Sequence, residues 1–308
     1  MNPEIAVLVP CYNEQETIAK VVADFRAHLP GCSVFVYDNA STDETAVRAR
    51  AAGAVVRTEP LPGKGNVVRR MFADVEADVY VLVDGDDTYD AASAPMFVSR
   101  LLSESLDMVS GLRVETSVKA YRPGHRFGNW MLTSLVARIF GKRFKDMLSG
   151  YRVMSRRLVK SFPALSAGFD IETELTVHAL QLRVPMAELP APYGDRPAGS
   201  VSKLQTVGDG FRILGAIGTL VKEERPLQFF GAAGLLLVLA ALLVGFPVVT
   251  EFLQTGLVPR MPSAILATGL VLLGFLGFTC GLILQTVTKG RLELKRMHYL
   301  SIPIRFKR

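Results

Sequence analysis

"VYVLVDGDDTYD", Val79 to Asp90, decides the fold. The apolar run Val79 to Val83 reads as a strand buried on both faces. Asp84, Asp86 and Asp87 then crowd its tip, and Gly85 permits backbone angles that other residues avoid. Carboxylates this close repel one another. Either a cation belongs among them, or they are solvated turn residues.

The same pattern recurs on either side. "IAVLVP" (Ile5 to Pro10) is a buried-strand run that opens into "PCYNE" (Pro10 to Glu14). Asn13 to Leu29 has helical spacing through Ile18, Val21, Val22, Phe25 and Leu29. "SVFVYD" (Ser33 to Asp38) is the next strand and opens into "DNASTD" (Asp38 to Asp43). Ser41 to Glu44 has the form of a capping box, which predicts a helix to about Ala52. "AVVRT" is a short strand, and Gly63 to Ala77 is a loop and then a helix. Strands alternating with helices predict an α/β fold with a mostly parallel sheet and helices on both faces.

Ligands of such sheets bind beyond the carboxyl ends of the strands. Three acidic clusters from three strands therefore converge on one rim. Hard oxygen ligands of this kind suit Mg²⁺ or Mn²⁺, which keeps several waters and binds substrate phosphates. No Gly-x-Gly-x-x-Gly follows the first strand, and "GKGNVVRR" lacks P-loop spacing. Gly63 and Gly65 let backbone approach a ligand while Lys64 supplies charge, or they form an ordinary glycine turn into a helix.

"VPCYNE", "VYDNASTD", "GKGNVVRRMF" and "LVDGDDTYDA", in this order, resemble glycosyltransferase family 2. Within it they are most similar to the polyprenyl-phosphate hexosyltransferases, the dolichyl-phosphate mannose synthase-like branch. The resemblance covers about Ile5 to Pro226. It implies a GT-A (Rossmann-like) fold, a nucleotide-sugar donor of the UDP-glucose or GDP-mannose type, Mg²⁺ or Mn²⁺, a polyprenyl or dolichyl phosphate acceptor, and inversion at the anomeric carbon. By motif, Pro10, Tyr12 and Glu14 would line the nucleoside pocket and Asp38 would meet the base. Asp84 and Asp86 would hold metal and diphosphate. Thr88 stands where the mannose synthases often carry Gln, so it is the candidate third ligand. Arg113 and Arg126, with Asn129, would receive the acceptor phosphate, since guanidinium forks bind phosphate bidentately. Arg196, Ser202 and Lys203 would close over the donor phosphates. Glu172 and Glu174 fall near the site, with roles left open. Family members include tetramers, so a homo-oligomer is possible. A soluble or polymeric acceptor is the rival enzymatic reading, and a noncatalytic membrane scaffold is the rival of another class.

The C-terminal part is different in kind. Leu227 to Val249 and Ala264 to Val287 contain no charged residue. Each has the ~20 residues that cross ~30 Å of hydrocarbon as a helix. Leu204 to Val221 is amphipathic and is expected to lie on the membrane. Lys222 and Arg225 precede the first run, and Lys289, Arg291, Lys295 and Arg296 follow the second. The positive-inside rule then places both ends in the cytoplasm. The expected organisation is a catalytic part over 1–203, a juxtamembrane helix over 204–226, spans over 227–249 and 264–287, and a basic tail over 288–308. The N-terminal stretch lacks the basic leader of a signal peptide. Net charge is +6, and the basic residues near the spans fit an anionic membrane surface rather than nucleic acid. Cys11, Cys32 and Cys280 have no metal-ligand spacing and read as reduced. The histidines show no ligand pattern and read as structural or exposed.

Overall fold

The computed structural model describes residues 3–115, 134, 144–165, 171–195, 218–219 and 221–304. The chain divides into two compact units, Met1–Asp209 with Lys295–Arg308, and Gly210–Leu294.

The first unit is built on seven strands: β1 (Ile5–Cys11), β2 (Ser33–Asp38), β3 (Val55–Thr58), β4 (Val79–Leu82), β5 (Met108–Glu115), β6 (Arg152–Ser155) and β7 (Met186–Tyr193). They form one sheet in the order β3-β2-β1-β4-β6-β5-β7. The left half is parallel, as the alternating pattern predicts. β6 runs antiparallel to both β4 and β5, while β5 and β7 are parallel. β1 and β4 are apolar throughout their middles because helices cover both faces, and Val7, Leu8, Val9 and Val81 are fully buried.

The first helices are α1 (Ile18–His28), α2 (Thr45–Ala51), α3 (Lys64–Asp74) and α4 (Ala94–Ser103). α1 buries Ile18, Val21, Val22 and Phe25, the stripe that its spacing predicts. It starts later than Asn13 because Asn13 is left-handed (φ 53°), and the Glu14 carbonyl takes the first helical bonds from Thr17 and Ile18. α2 corrects the capping-box expectation. Ser41 does not cap it. Its hydroxyl instead accepts from Asn13 N (2.9 Å), and Asp43 accepts from Thr45 N (3.0 Å). The motif's polar groups lace the β2–α2 loop to the β1–α1 loop, so the helix begins at Thr45.

Two helices follow β6 and precede β7: α5 (Arg156–Ser161) and α6 (Ile171–Leu182). On α6, His178 is buried, meets Ser161 Oγ at 3.2 Å and packs on Phe162. Burial pushes its imidazole down to about 3.

Two long helices complete the chain, α7 (Pro226–Thr255) and α8 (Met261–Ser301). Both are long and apolar enough to cross a membrane. α7 outruns its apolar stretch and ends at Gly256, left-handed at φ 69°. In the second unit, α7 and α8 meet through glycine. A Cβ on Gly234 would lie 2.6 Å from the Gly274 carbonyl oxygen, so the backbones touch where side chains would stand. Large apolar side chains point outward, with Leu243 79% and Leu253 77% exposed.

From Lys295 onward, α8 belongs to the first unit. Tyr299 is buried and donates to Asp107 Oδ2 (2.6 Å), and Arg157 packs over its ring. Arg157 Nε also donates to the Ile302 carbonyl (2.9 Å), and Arg296 donates to the Leu182 carbonyl (2.7 Å). The expected basic tail thus begins as ordered helix, with part of its charge spent on packing.

Candidate active site

The rim assembles from loops at the carboxyl ends of β1, β2 and β4. Each loop carries one non-glycine residue in the left-handed region: Asn13 (φ 53°), Ala40 (φ 57°) and Asp87 (φ 59°). Such backbone is costly and concentrates at functional sites. The loops are tied to one another. Asn13 Oδ1 accepts from Thr42 N (2.8 Å), and Asn39 N donates to the Cys11 carbonyl (2.8 Å).

The acids of "DGDD" separate. Asp87 pairs with Lys20 of α1 (2.7 Å). Asp86 is buried and accepts from the Thr88 hydroxyl (2.6 Å) and from Thr88 N (3.2 Å). Thr88 is therefore a residue that orients Asp86. Asp84 Oδ1 receives the Lys64 ammonium at 2.5 Å, and its Oδ2 lies where a Cβ on Gly150 would be. The loop itself is pinned. Thr17 Oγ1 donates to the Gly85 carbonyl (2.6 Å), and Cys11 Sγ stands 2.6 Å from where a Gly85 Cβ would be.

Lys64 opens α3 after Gly63, whose φ of 120° only glycine adopts readily. Its ammonium is shared between Asp84 and Glu172, a buried residue on the first turn of α6. Burial alone would push the ammonium down, but the two carboxylates reverse this and hold it firmly charged. The open role of Glu172 in the sequence thus has a partner. The pair is separated by 108 residues, and no local pattern marks it.

Asp38 ends β2, buried, with Oδ2 accepting weakly from Ser41 N (3.4 Å) and Oδ1 meeting no donor. Glu14 is also buried, Pro10 pairs in register with Tyr37, and Tyr12 is 44% exposed. Of the nucleoside-pocket candidates, Asp38 alone thus offers a buried acceptor oxygen with no partner among the described residues.

Arg113 lies within β5. Its guanidinium forks onto Asp146, Nε to Oδ2 at 2.6 Å and Nη2 to Oδ1 at 2.8 Å, and it covers the Tyr193 ring. Glu188 of β7 holds the Asp146 segment by accepting from Lys145 N and Asp146 N. Arg152 is fully buried and donates to the carbonyls of Met147 (2.8 Å) and Ser149 (3.0 Å). The tyrosines of this half were not singled out in the sequence. Tyr89 accepts from Gly150 N (2.8 Å) and packs on Tyr151 and Tyr193. Burial pushes the Tyr193 phenol up, and Asp86 adds to the effect. Arg126, Asn129, Arg196, Ser202 and Lys203 lie outside the described residues.

Among the described residues, no group of three or more His, Cys, Asp or Glu side chains forms a ready metal cage. A cation that binds through one or two carboxylates and completes its shell with water and phosphate needs no such cage. Asp86, buried and held by Thr88, and Asp84, 28% exposed, supply the carboxylate oxygens such an ion takes, with the Lys64 ammonium already on Asp84 Oδ1.

A family model described as glycosyl transferase family 2 matches residues 6–162. The glycosyltransferase AglJ of Haloferax volcanii is 36% identical over 236 residues, covering 75% of this chain and 76% of its own. The dolichyl-phosphate hexose transferase of the same organism is 29% identical over 222 residues, 72% of this chain and 96% of its own. A solved structure of Mycobacterium tuberculosis glucosyl-3-phosphoglycerate synthase holds Mn²⁺, UDP-glucose and phosphoglyceric acid. It superposes with a TM-score of 0.58 at 25% identity, over 72% of this chain and 79% of that one.

Proposed function

Since the chain belongs to glycosyl transferase family 2, we propose that it transfers a hexosyl group from a nucleotide-diphosphate sugar to a polyprenyl phosphate at a membrane face, with inversion. One observation carries this reading. The three-loop rim shares its chain with two helices, of 30 and 41 residues, whose apolar side chains face outward. A lipid acceptor calls for a rim anchored at a bilayer.

Within this reading, Asp38 Oδ1 takes a donor from the base, between Pro10, Tyr12 and Glu14. Asp84 and Asp86 would hold Mg²⁺ or Mn²⁺. The ion would supply charge neutralisation as the leaving group departs. Lys64 adds a second positive charge on the same side. The acceptor phosphate has a second pKa near ~6, so its attacking oxygen is ionised at neutral pH and needs no strong general base. That oxygen attacks the anomeric carbon, and the electron pair of the broken carbon–oxygen bond leaves with the diphosphate. Arg113, already forked onto Asp146, meets the acceptor as an oriented partner whose fork must be shared. Arg126 and Asn129 complete the acceptor grip, and Arg196 and Lys203 close over the donor. The catalytic part and both chain ends face the cytoplasm.

A second reading rests on the solved neighbour, whose structure holds phosphoglyceric acid. A soluble phosphorylated acceptor would use the same donor half. The experiment that tests both supplies the full-length membrane protein with radiolabelled UDP-glucose or GDP-mannose, Mg²⁺ or Mn²⁺, and either polyprenyl phosphate or 3-phosphoglycerate. Label in the organic extract, abolished by EDTA, is expected. Label that stays aqueous and requires phosphoglycerate would replace the first reading by the second.

A further inference from the structure

Lys64 is held by two carboxylates that come from different elements. Asp84 stands at the tip of β4 and Glu172 on the first turn of α6. The Lys64 side chain is only 11% exposed and forms an ion pair with each acid. Asp84 is therefore neutralised in the folded protein before any external cation arrives. Glu172 is the more deeply buried of the two acids, with 7% of its side chain exposed against 28% for Asp84. The ammonium thus sits between an accessible acid and an enclosed one.

We propose that Lys64 is a built-in counter-ion that competes with the divalent cation for Asp84, and that Glu172 is the positioning residue that keeps the ammonium when Asp84 turns to the metal. The proposal rests on the metal reading above and deepens it. Two cations on one carboxylate oxygen repel, so Mn²⁺ alone binds weakly while Lys64 occupies Asp84. A diphosphate changes the balance by giving both cations anionic oxygens. Lys64 then needs only a small swing, with Glu172 as its fixed point. The device makes the empty site resist free metal and accept it together with the nucleotide.

The test uses the full-length protein in detergent and follows free Mn²⁺ by electron paramagnetic resonance, a readout independent of transfer. Lys64→Met is expected to bind Mn²⁺ without nucleotide roughly tenfold more tightly than the wild type. That advantage should vanish when UDP or GDP is added, because the lost ammonium also served the phosphates. Glu172→Gln leaves Lys64 with Asp84 as its single acid and should weaken Mn²⁺ binding. Structural damage would weaken both variants, so opposite signs are the signature. Lys64→Gln, which keeps a polar contact, stands in where Lys64→Met does not fold. Equal or weaker Mn²⁺ binding in a folded Lys64 variant overturns the proposal. Absence of Mn²⁺ binding to the wild type, with and without nucleotide, overturns the metal reading itself and this proposal with it.

Discussion

The two units use similar apolar residues in opposite ways. In the first, Val7, Val9, Val36 and Val81 are fully buried between helices and sheet. In the second, Leu243, Leu253 and Phe246 are 70% exposed or more, and the helices touch through glycine. A sheet-centred core is held by removing side chains from water. A helix pair in an apolar solvent gains nothing that way and depends on close backbone approach. The difference teaches that the first unit is held by burying its apolar side chains, while the second turns them outward and is held by close backbone approach.

The largest expected effect falls on the first unit. If Asp86 holds the cation as proposed, Asp86→Asn should lower transfer by roughly a thousandfold, because a charged ligand of a preorganised site is lost. Melting of the variant should stay near the wild type, because Thr88 can still donate to the amide oxygen. Activity within twofold of wild type across a metal titration would dissociate Asp86 from the chemistry.

Two glycines sharpen the contrast. Gly234→Ala places a methyl 2.6 Å from a backbone oxygen that cannot rotate away. It should cost the helix pair about 1–3 kcal/mol, read as earlier thermal unfolding in detergent and faster proteolysis within 210–294. Gly150→Ala meets the Asp84 carboxylate at 2.5 Å, and that group can swing. Its cost should fall on activity, roughly tenfold by displacement of a positioned group, with little change in melting. If Gly150→Ala destabilises more than Gly234→Ala, the contrast drawn here is wrong.

The smallest effect near neutrality comes from His178, whose neighbours include Lys295 and His298. Its folded value, about 3, lies below the ordinary 6.5. The unfolded chain therefore binds the extra proton first. The stability linked to His178 is complete above pH 6.5 and is lost as pH falls toward 3. The loss sets in as pH falls through about 6.5 and steepens below it, by at most about one tenfold change in the folding equilibrium per pH unit. Melting against pH, wild type beside His178→Gln, reads the difference. Parallel profiles would remove the assignment.

Much of this was legible in the sequence. Apolar runs ending in acids gave the parallel half of the sheet and its rim, because strand burial and turn chemistry are local. The two long apolar stretches announced the second unit for the same reason. What stayed hidden depends on distant partners. Ser41 looked like a helix cap until the β1–α1 loop claimed it. β6 reverses direction without a sequence signal, and the Asp146 segment that leads into it is held by the distant Arg113 and Glu188. Glu172 has nothing in its neighbourhood that points to Lys64. The docking of Tyr299 on Asp107 joins residues 192 apart, and charge counting read that end as a free basic tail.

Asp38 Oδ1 is a buried acceptor that meets no donor among the described residues. An orphaned acceptor of this kind typically costs ~1–3 kcal/mol. Binding of a ligand that donates to it removes that cost, so occupancy and stability rise together. Replacing Asp38 by Leu should therefore make the empty protein harder to unfold while stripping the heat-protection that a nucleotide confers. On the proposed reading, then, ligand binding and the robustness of the ligand-free protein pull in opposite directions at this one oxygen.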